Sequence, residues 1–141
     1  MPLKLSLKPG EKFVVNGAVM MNGDRRGVLV LQNKAAILRE KDILQTEDVN
    51  SPAKRIYFPV MMMYLDQENQ HRYYDEFVRR TSEFMSAIST TEILAECVSI
   101  SRDVMAKEFY KALLRCRKIM EWEEKRLSHV GEGVSEGRRA G

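Results

Sequence analysis

Apolar and polar residues alternate in short segments over the first 40 residues, and turn residues separate these segments. Leu3, Leu5 and Leu7 stand on either side of Lys4 and Ser6, which is the period-two pattern of a strand with one buried face. An Asn-Gly dipeptide after the second segment favours a hairpin, because both residues tolerate positive φ. The pattern predicts a meander of short antiparallel strands over residues 3–7, 12–15, 18–21, 28–31 and 36–38.

Residues 39–53 are charged and polar, with Ile43, Leu44 and Val49 as apolar exceptions. We interpret this segment as an extended connection. Apolar residues resume in 55–61, and this stretch predicts a further strand. Pro59 within it indicates an edge position or a bend, because proline cannot donate to the hydrogen-bond ladder.

The apolar residues change to helical spacing after residue 65 and form three stripes. The first predicts a helix of about six turns. Ser89 and Glu92 have capping-box spacing, which predicts a second helix starting near Thr90, and Lys107 marks a candidate break before a third. The stripes consist of Tyr73, Phe77, Phe84 and Ile88, then Leu94, Val98 and Met105, then Phe109, Leu113, Cys116, Ile119 and Met120.

These patterns together predict an α+β protein with a small antiparallel sheet followed by a helical hairpin or a three-helix segment. Residues 1–65 form a basic β unit in this interpretation, and residues 66–127 form an α-helical unit. The C-terminal residues 128–141 contain four glycines and almost no apolar side chain, so they cannot offset the entropy cost of ordering. We expect a flexible tail there. Whether the two units share one core stays open.

Composition and charge limit the classes of function that this chain can have. The longest apolar run, from Ile56 to Leu65, contains a proline and is far shorter than the roughly 20 residues of a membrane-spanning helix. The N-terminus lacks the apolar segment of a secretory signal, so we expect a cytoplasmic protein without membrane contact. The net charge is +3, and residues 1–60 carry ten basic against six acidic side chains. This excess favours polyanionic partners.

No pattern points to catalysis or to a cofactor. The phosphate-binding glycine motifs and the HExxH motif are missing from the sequence. Neither His71 nor His129 stands at a ligand spacing from a cysteine, so we expect no metal site and interpret Cys97 and Cys116 as buried thiols. The acidic groups on the predicted helices are interpreted as solvated charge; they are Glu92, Glu96, Glu121, Glu123 and Glu124.

Two kinds of binding surface remain. Basic side chains near turns and strand ends suit the phosphates of single-stranded RNA; the alternative is that they only keep the surface soluble. Tyr57 is a candidate stacking ring or a core residue. Methionines in the helical half suit an adaptable protein-binding surface. The run Met61 to Met63 suits a groove or an oligomer contact, and the alternative is that it is a covered strand. The RNA-binding candidates are Lys8, Lys12, Arg25, Arg26, Lys34, Arg39, Lys54, Arg55 and Tyr57.

Three segments resemble the FlbT family of flagellum biogenesis regulators. They are LSLKPGEKFVVNGAVMMNGDR, ILREKDILQTEDVNSPAKRIYFPVMMMYLD and, in the helices, ISRDVMAKEFYKALLRCRKIM. The resemblance implies a post-transcriptional regulator, usually a repressor, that associates with the 5′ untranslated region of flagellin mRNA and promotes its degradation or reduces its translation. It supplies no list of RNA-contacting residues, and some members act positively on flagellin synthesis, so the sign of regulation stays open.

The sequence therefore supports two hypotheses. In the first, the chain is a non-enzymatic, RNA-associated regulator. Its β unit contacts phosphates of the flagellin leader, which is the 5′ untranslated region of flagellin mRNA. In the second, it is a protein-binding module or chaperone that holds flagellin or another flagellar regulator and reaches RNA only within a complex. A second copy of the chain is a further candidate partner, because the apolar residues suit a homo-oligomer.

Overall fold

A computed structural model describes the backbone of residues 3–140 and the side chains of residues 3–127, and its architecture is α+β, as predicted. The strands are β1 (Leu3–Leu7), β2 (Lys12–Val15), β3 (Ala18–Met21), β4 (Gly27–Leu31) and β5 (Ile37–Arg39). The helices are α1 (Pro52–Leu65), α2 (Gln70–Ala87), α3 (Thr91–Met105) and α4 (Phe109–Ala140). Short 3-10 turns lie at Glu40–Asp42, Thr46–Asp48 and Gln67–Asn69.

The five strands form two small antiparallel sheets whose order differs from a meander. β1 pairs with β4, and β2 lies between β3 and β5. The β2–β3 hairpin turns at Asn16 and Gly17, where φ is 50° and 82°, as a type I′ turn requires. This hairpin is inserted between β1 and its partner β4. The strand positions are therefore close to those predicted, whereas the simple up-and-down order is wrong.

The prediction of a strand over residues 55–61 is wrong, because this segment belongs to helix α1. Ser51 is the N-cap, and its side chain accepts a hydrogen bond from the Lys54 amide at 3.3 Å. Pro52 occupies the first turn, where the missing N–H costs nothing. Ile56, Val60 and Met63 are buried at helical spacing, so packing compensates for Pro59 inside the helix. The connection before it contains two of the 3-10 turns rather than only extended chain.

The three predicted helices are confirmed, with two local corrections in α3. Thr90 is its N-cap and makes no side-chain capping bond, so the capping box of Ser89 and Glu92 is wrong. The buried face of α3 consists of Cys97, Ile100 and Val104. Two predicted core residues are instead exposed, Val98 at 41% and Met105 at 72%.

Helix α1 is the centre of the core. It packs against α2 and α4, and α3 packs on α4. Leu38 of β5 is 1% exposed and belongs to the same apolar cluster as the helices, so one strand joins the helical core. The predicted break at Lys107 is confirmed, because this residue has φ of 60° and separates α3 from α4. The side chains of the predicted tail, residues 128–141, lie outside the described residues.

Candidate nucleic-acid interface

The side chain of Asn22 joins the turns at one end of the β unit. Its Nδ2 donates to the carbonyl oxygens of Lys8 at 2.8 Å, Arg25 at 2.9 Å and Leu7 at 3.3 Å. The amide of Gly10 also donates to the Gly23 carbonyl at 3.0 Å. These bonds bring the turn after β1 beside the turn that precedes β4. Basic residues far apart in the sequence therefore lie at one end of the sheets.

Arg39 serves as scaffold for this end of the molecule. Its Nε donates to Glu11 Oε2 at 3.1 Å, and its guanidinium also donates to the Ser6 carbonyl at 2.5 Å. Glu11 in turn accepts the Lys8 amide at 2.9 Å. The Arg39 hydrogen bond, followed by the Lys8 amide bond, holds the pKa of Glu11 below its usual value. Because its charge is neutralised by Glu11, Arg39 is a poor candidate for binding phosphate.

Beside this ion pair lies a groove of about 400 Å³. Its lining includes Lys8, Arg39 and Lys41 together with Glu11 and Glu40. The sequence-based list omits Lys41, although its position directly after β5 in the segment REKD offers a signal. We define the turn-end cluster as the five exposed basic residues carried by these connected turns and strand ends; they are Lys8, Lys12, Arg25, Arg26 and Lys41.

Other predicted RNA contacts lie elsewhere. Lys34 follows β4 at the opposite end of the sheet, because Leu31 pairs with Leu3 while Gly27 pairs with Leu7. Lys54 and Arg55 occupy the first turn of α1, and the Lys54 Nζ donates to Asn50 Oδ1 at 3.2 Å. The structure thus brings together Lys8, Lys12, Arg25 and Arg26 with Arg39, and it places the other three basic candidates on separate elements.

Tyr57 cannot stack on a base in this fold. Its side chain is 2% exposed, and its hydroxyl donates to the Asp42 carbonyl at 2.5 Å. Burial raises the pKa of Tyr57 to about 12. The interpretation of Tyr57 as a stacking ring is therefore wrong, and its alternative as a core residue is correct, because α1 turns this position toward the protein interior.

A second concave surface lies between the β2–β3 hairpin, residues 43–46 and α1. We call it the hairpin groove; its volume is about 1020 Å³. Half-buried Phe58 and Met62 line it, and its charged lining residues are the acids Asp66 and Glu68. The apolar floor suits a protein segment, whereas the negative rim disfavours a polyanion. The two surfaces therefore differ in charge and in the class of partner they suit.

Comparison with known proteins identifies the family. The family model described as Flagellar protein FlbT matches residues 3–127. The chain belongs to the FlbT family. The flagellum biosynthesis repressor protein FlbT of Caulobacter vibrioides (strain ATCC 19089 / CIP 103742 / CB 15) is 61% identical over 141 residues, covering all of both chains.

Other FlbT relatives also align over nearly their full length. A probable flagellum biosynthesis repressor protein FlbT from Caulobacter sp. (strain K31) is 63% identical over 92% of this chain and 99% of the relative. Another, from Rhodopseudomonas palustris (strain TIE-1), is 38% identical over 91% of this chain and 99% of the relative. No solved structure matches. The resemblance seen in the sequence is thus confirmed as family membership. The relatives compared are named flagellum biosynthesis repressors.

Three further features of this FlbT chain concern its cysteines, membrane spans and metal sites. Cys97 and Cys116 are buried free thiols, as predicted, and burial raises the pKa of Cys97 to about 11. Among the described helices, none is both long and apolar enough to cross a membrane. Within residues 3–127, no group of three or more His, Cys, Asp or Glu side chains is arranged to hold a metal ion.

Proposed function

We propose that this chain is a cytoplasmic, non-enzymatic repressor in flagellum biogenesis that acts after transcription, by associating with the 5′ untranslated region of flagellin mRNA. The full-length similarity to flagellum biosynthesis repressors supports the repressor role. The turn-end cluster carries the RNA part of the proposal, because five exposed cations on one end of the β unit form an electrostatic footprint for phosphates.

Contacts with the RNA backbone account for most of the binding in this proposal. Phe13, the aromatic residue of β2, is 5% exposed, and Tyr57 is buried as well, so neither ring is available for stacking on an unpaired base. The cations of the cluster neutralise phosphates, and exposed backbone groups of the turns read the unstacked bases. The bound protein then represses by covering the ribosome-loading region or by exposing the message to cellular nucleases.

Titration of the purified full-length chain into labelled flagellin leader RNA tests this proposal. If three to five phosphates are neutralised, the affinity falls about 10- to 100-fold between about 50 and 200 mM salt. A scrambled leader of equal length separates specific from general polyanion binding. Salt-independent binding, or no binding at all, contradicts the electrostatic contact.

The hairpin groove favours a second candidate function, binding of flagellin or another flagellar regulator. Its apolar lining includes Met61 and Met62, and methionine side chains adapt to partners of varied shape. In this alternative, RNA binding requires the added partner, and Met62→Lys abolishes partner capture. If the chain alone binds the leader, and Met62→Lys leaves that binding intact, the direct RNA mechanism is favoured.

A further inference from the structure

Strand β3 is an edge strand with exposed apolar side chains. It lies at one end of the order β3-β2-β5, with β2 on one side. All four residues are exposed, and Val19 and Met21 are 75% and 67% accessible. Natural edge strands usually carry lysine, proline or a bulge to prevent pairing with another chain. β3 has none of these, since its sequence is Ala-Val-Met-Met.

The register determines which backbone groups of β3 point outward. The two-residue turn makes Val15 and Ala18 a hydrogen-bonded pair, and hydrogen-bonded and non-hydrogen-bonded pairs then alternate along the hairpin. The hydrogen bond from the backbone N–H of Asn22 to the Glu11 carbonyl oxygen, at 2.8 Å, fits this alternation. The N–H and C=O groups of Val19 and Met21 therefore point away from β2. Within the described residues, neither amide has a further hydrogen-bond partner.

These outward groups are symmetric about Met20. If two antiparallel β3 strands meet with Met20 opposite its copy, the Val19 of each chain faces the Met21 of the other. Both members of each facing pair then present one free N–H and one free C=O, so every donor meets an acceptor. Because β3 carries no charged side chain, this arrangement brings no like charges together within the pair of strands.

The side chains also complement one another in this arrangement. Val19 lies on the sheet face shared with Val14 and Leu38, as the cross-strand partners show, and it lines the hairpin groove. Residues opposite each other in an antiparallel pair lie on the same face. Two copies of Val19 and Met21 would thus form one apolar cluster beside the groove, and the two Met20 side chains would meet on the other face.

We propose that this chain forms a two-fold symmetric homodimer through β3, which joins the β3-β2-β5 sheets of two copies into one six-stranded sheet. The self-complementary register and the uncharged apolar strand select a second copy as the occupant of this edge. The pairing buries on the order of 700 Å² in total, below the usual size of stable interfaces, so the dimer is reversible and depends on concentration.

Sedimentation equilibrium of the full chain, from micromolar to submillimolar concentration, gives the first test. The weight-average mass should rise from the chain mass of 16.3 kDa toward twice that value. Met21→Lys should abolish this rise because it adds a charge to the edge. The matched control is Met105→Lys: Met105 is 72% exposed at the end of α3, and this variant should associate like the parent chain.

Cysteine cross-linking tests the register itself. In a non-hydrogen-bonded antiparallel pair the Cα atoms are about 4.5 Å apart, which a disulfide can bridge. Met20→Cys should therefore form a disulfide-linked dimer at least tenfold faster under mild oxidation than Met105→Cys. The native Cys97 and Cys116 are 0% and 1% exposed, so they will not compete. Hydrogen exchange at the Val19 and Met21 amides should slow as concentration rises.

Three results would overturn the dimer through β3. The first is a mass that stays at that of one chain up to the solubility limit, with Met20→Cys cross-linking no faster than Met105→Cys. The second is self-association that survives Met21→Lys, which would place the contact elsewhere. In the third, the two amides gain protection only when a different protein is added, and the edge then belongs to that partner.

Discussion

The backbone N–H of Ala53 donates to the Oε2 of Glu123 at 2.9 Å, across 70 residues of sequence. Ala53 lies in the first turn of α1, where amide groups have no partner within the helix. Glu123 is 8% exposed on α4, so its carboxylate joins the start of one helix to the side of another. The positive end of the α1 dipole adds to this attraction. The interpretation of Glu123 as solvated charge is therefore wrong.

Replacing Glu123 should destabilise the protein measurably. Glu123→Ala leaves the buried Ala53 amide without an acceptor, and the free energy of unfolding should fall by about 1–3 kcal/mol. Urea denaturation followed by circular dichroism measures this change. Glu124 is exposed on the same helix, and Glu124→Ala should change the stability by less than about 0.5 kcal/mol. Equal losses for the two variants would exclude the bond as the cause.

Tyr57→Phe should lower stability without affecting RNA affinity. The change removes the hydroxyl that donates to the Asp42 carbonyl, and we expect a loss of about 0.5–1.5 kcal/mol at neutral pH. Leader-RNA titration of the same variant should give an unchanged affinity, because the ring is buried. A marked drop in affinity with stability preserved would restore Tyr57 as an RNA contact.

The same residue predicts a loss of stability in alkali. Burial raises the pKa of Tyr57 from its ordinary 10.0 to about 12, so the fold favours the neutral phenol. The stability that the neutral Tyr57 phenol contributes is fully present below the pKa of the unfolded state. It is lost as the pH rises through the pKa of the folded state. Between about pH 10 and 12 the parent chain should therefore lose stability relative to Tyr57→Phe. Urea midpoints measured across this range check the sign, and parallel curves would contradict it.

Charge reversal should distinguish the turn-end cluster from the other basic residues. The double variant Arg25→Glu, Arg26→Glu should weaken leader-RNA binding by at least tenfold and reduce its salt dependence. Lys111→Glu, Lys118→Glu reverses two exposed cations of α4 and has the same net charge, so it controls for overall charge. Circular dichroism should be unchanged for both. Equal weakening by the two variants would indicate that only net charge matters.

Local signals explain the parts of the fold that the sequence predicts well. The alternation of Leu3, Leu5 and Leu7 and the Asn16-Gly17 turn act over a few residues, and the strands there occur at the expected positions. The helical stripes behave likewise. Pairing of β1 with β4, in contrast, depends on contacts between Leu7 and Gly27 and their neighbours, with a hairpin inserted between them. No local pattern specifies such an order.

Competing signals explain the wrong strand. Residues 55–61 are rich in apolar side chains and contain Pro59, which fits an edge strand. Ser51-Pro52 is equally a helix start, and burial of Ile56 and Val60 at helical spacing favours the helix. The same rotation of the chain buries Tyr57. The candidate site was predicted only in part, because basic side chains are visible in the sequence whereas their grouping is not. That grouping depends on Asn22, whose bonds to the Leu7 and Lys8 carbonyls span 15 and 14 residues.

The close approach of the β2–β3 hairpin tip to the end of α1 can be tested at Gly17. Gly17 has φ of 82°, and a Cβ there would lie 3.2 Å from the Leu65 carbonyl oxygen. Gly10 has φ of 70° with nothing within 4 Å of such a Cβ. Gly10→Ala should therefore cost only the left-handed backbone penalty, about 1 kcal/mol. Gly17→Ala should cost more, because the hairpin must also move away from the end of α1.

Urea denaturation of the two alanine variants measures that difference. An excess loss for Gly17→Ala, with faster hydrogen exchange in β2 and β3, indicates that contact with α1 holds the hairpin in place. Since the hairpin forms one wall of the hairpin groove, the same variant should weaken any partner bound there. Leader-RNA affinity should remain unchanged, because the turn-end cluster lies at the other end of β2. Equal losses for the two variants would instead show that the tip can shift from Leu65 without cost.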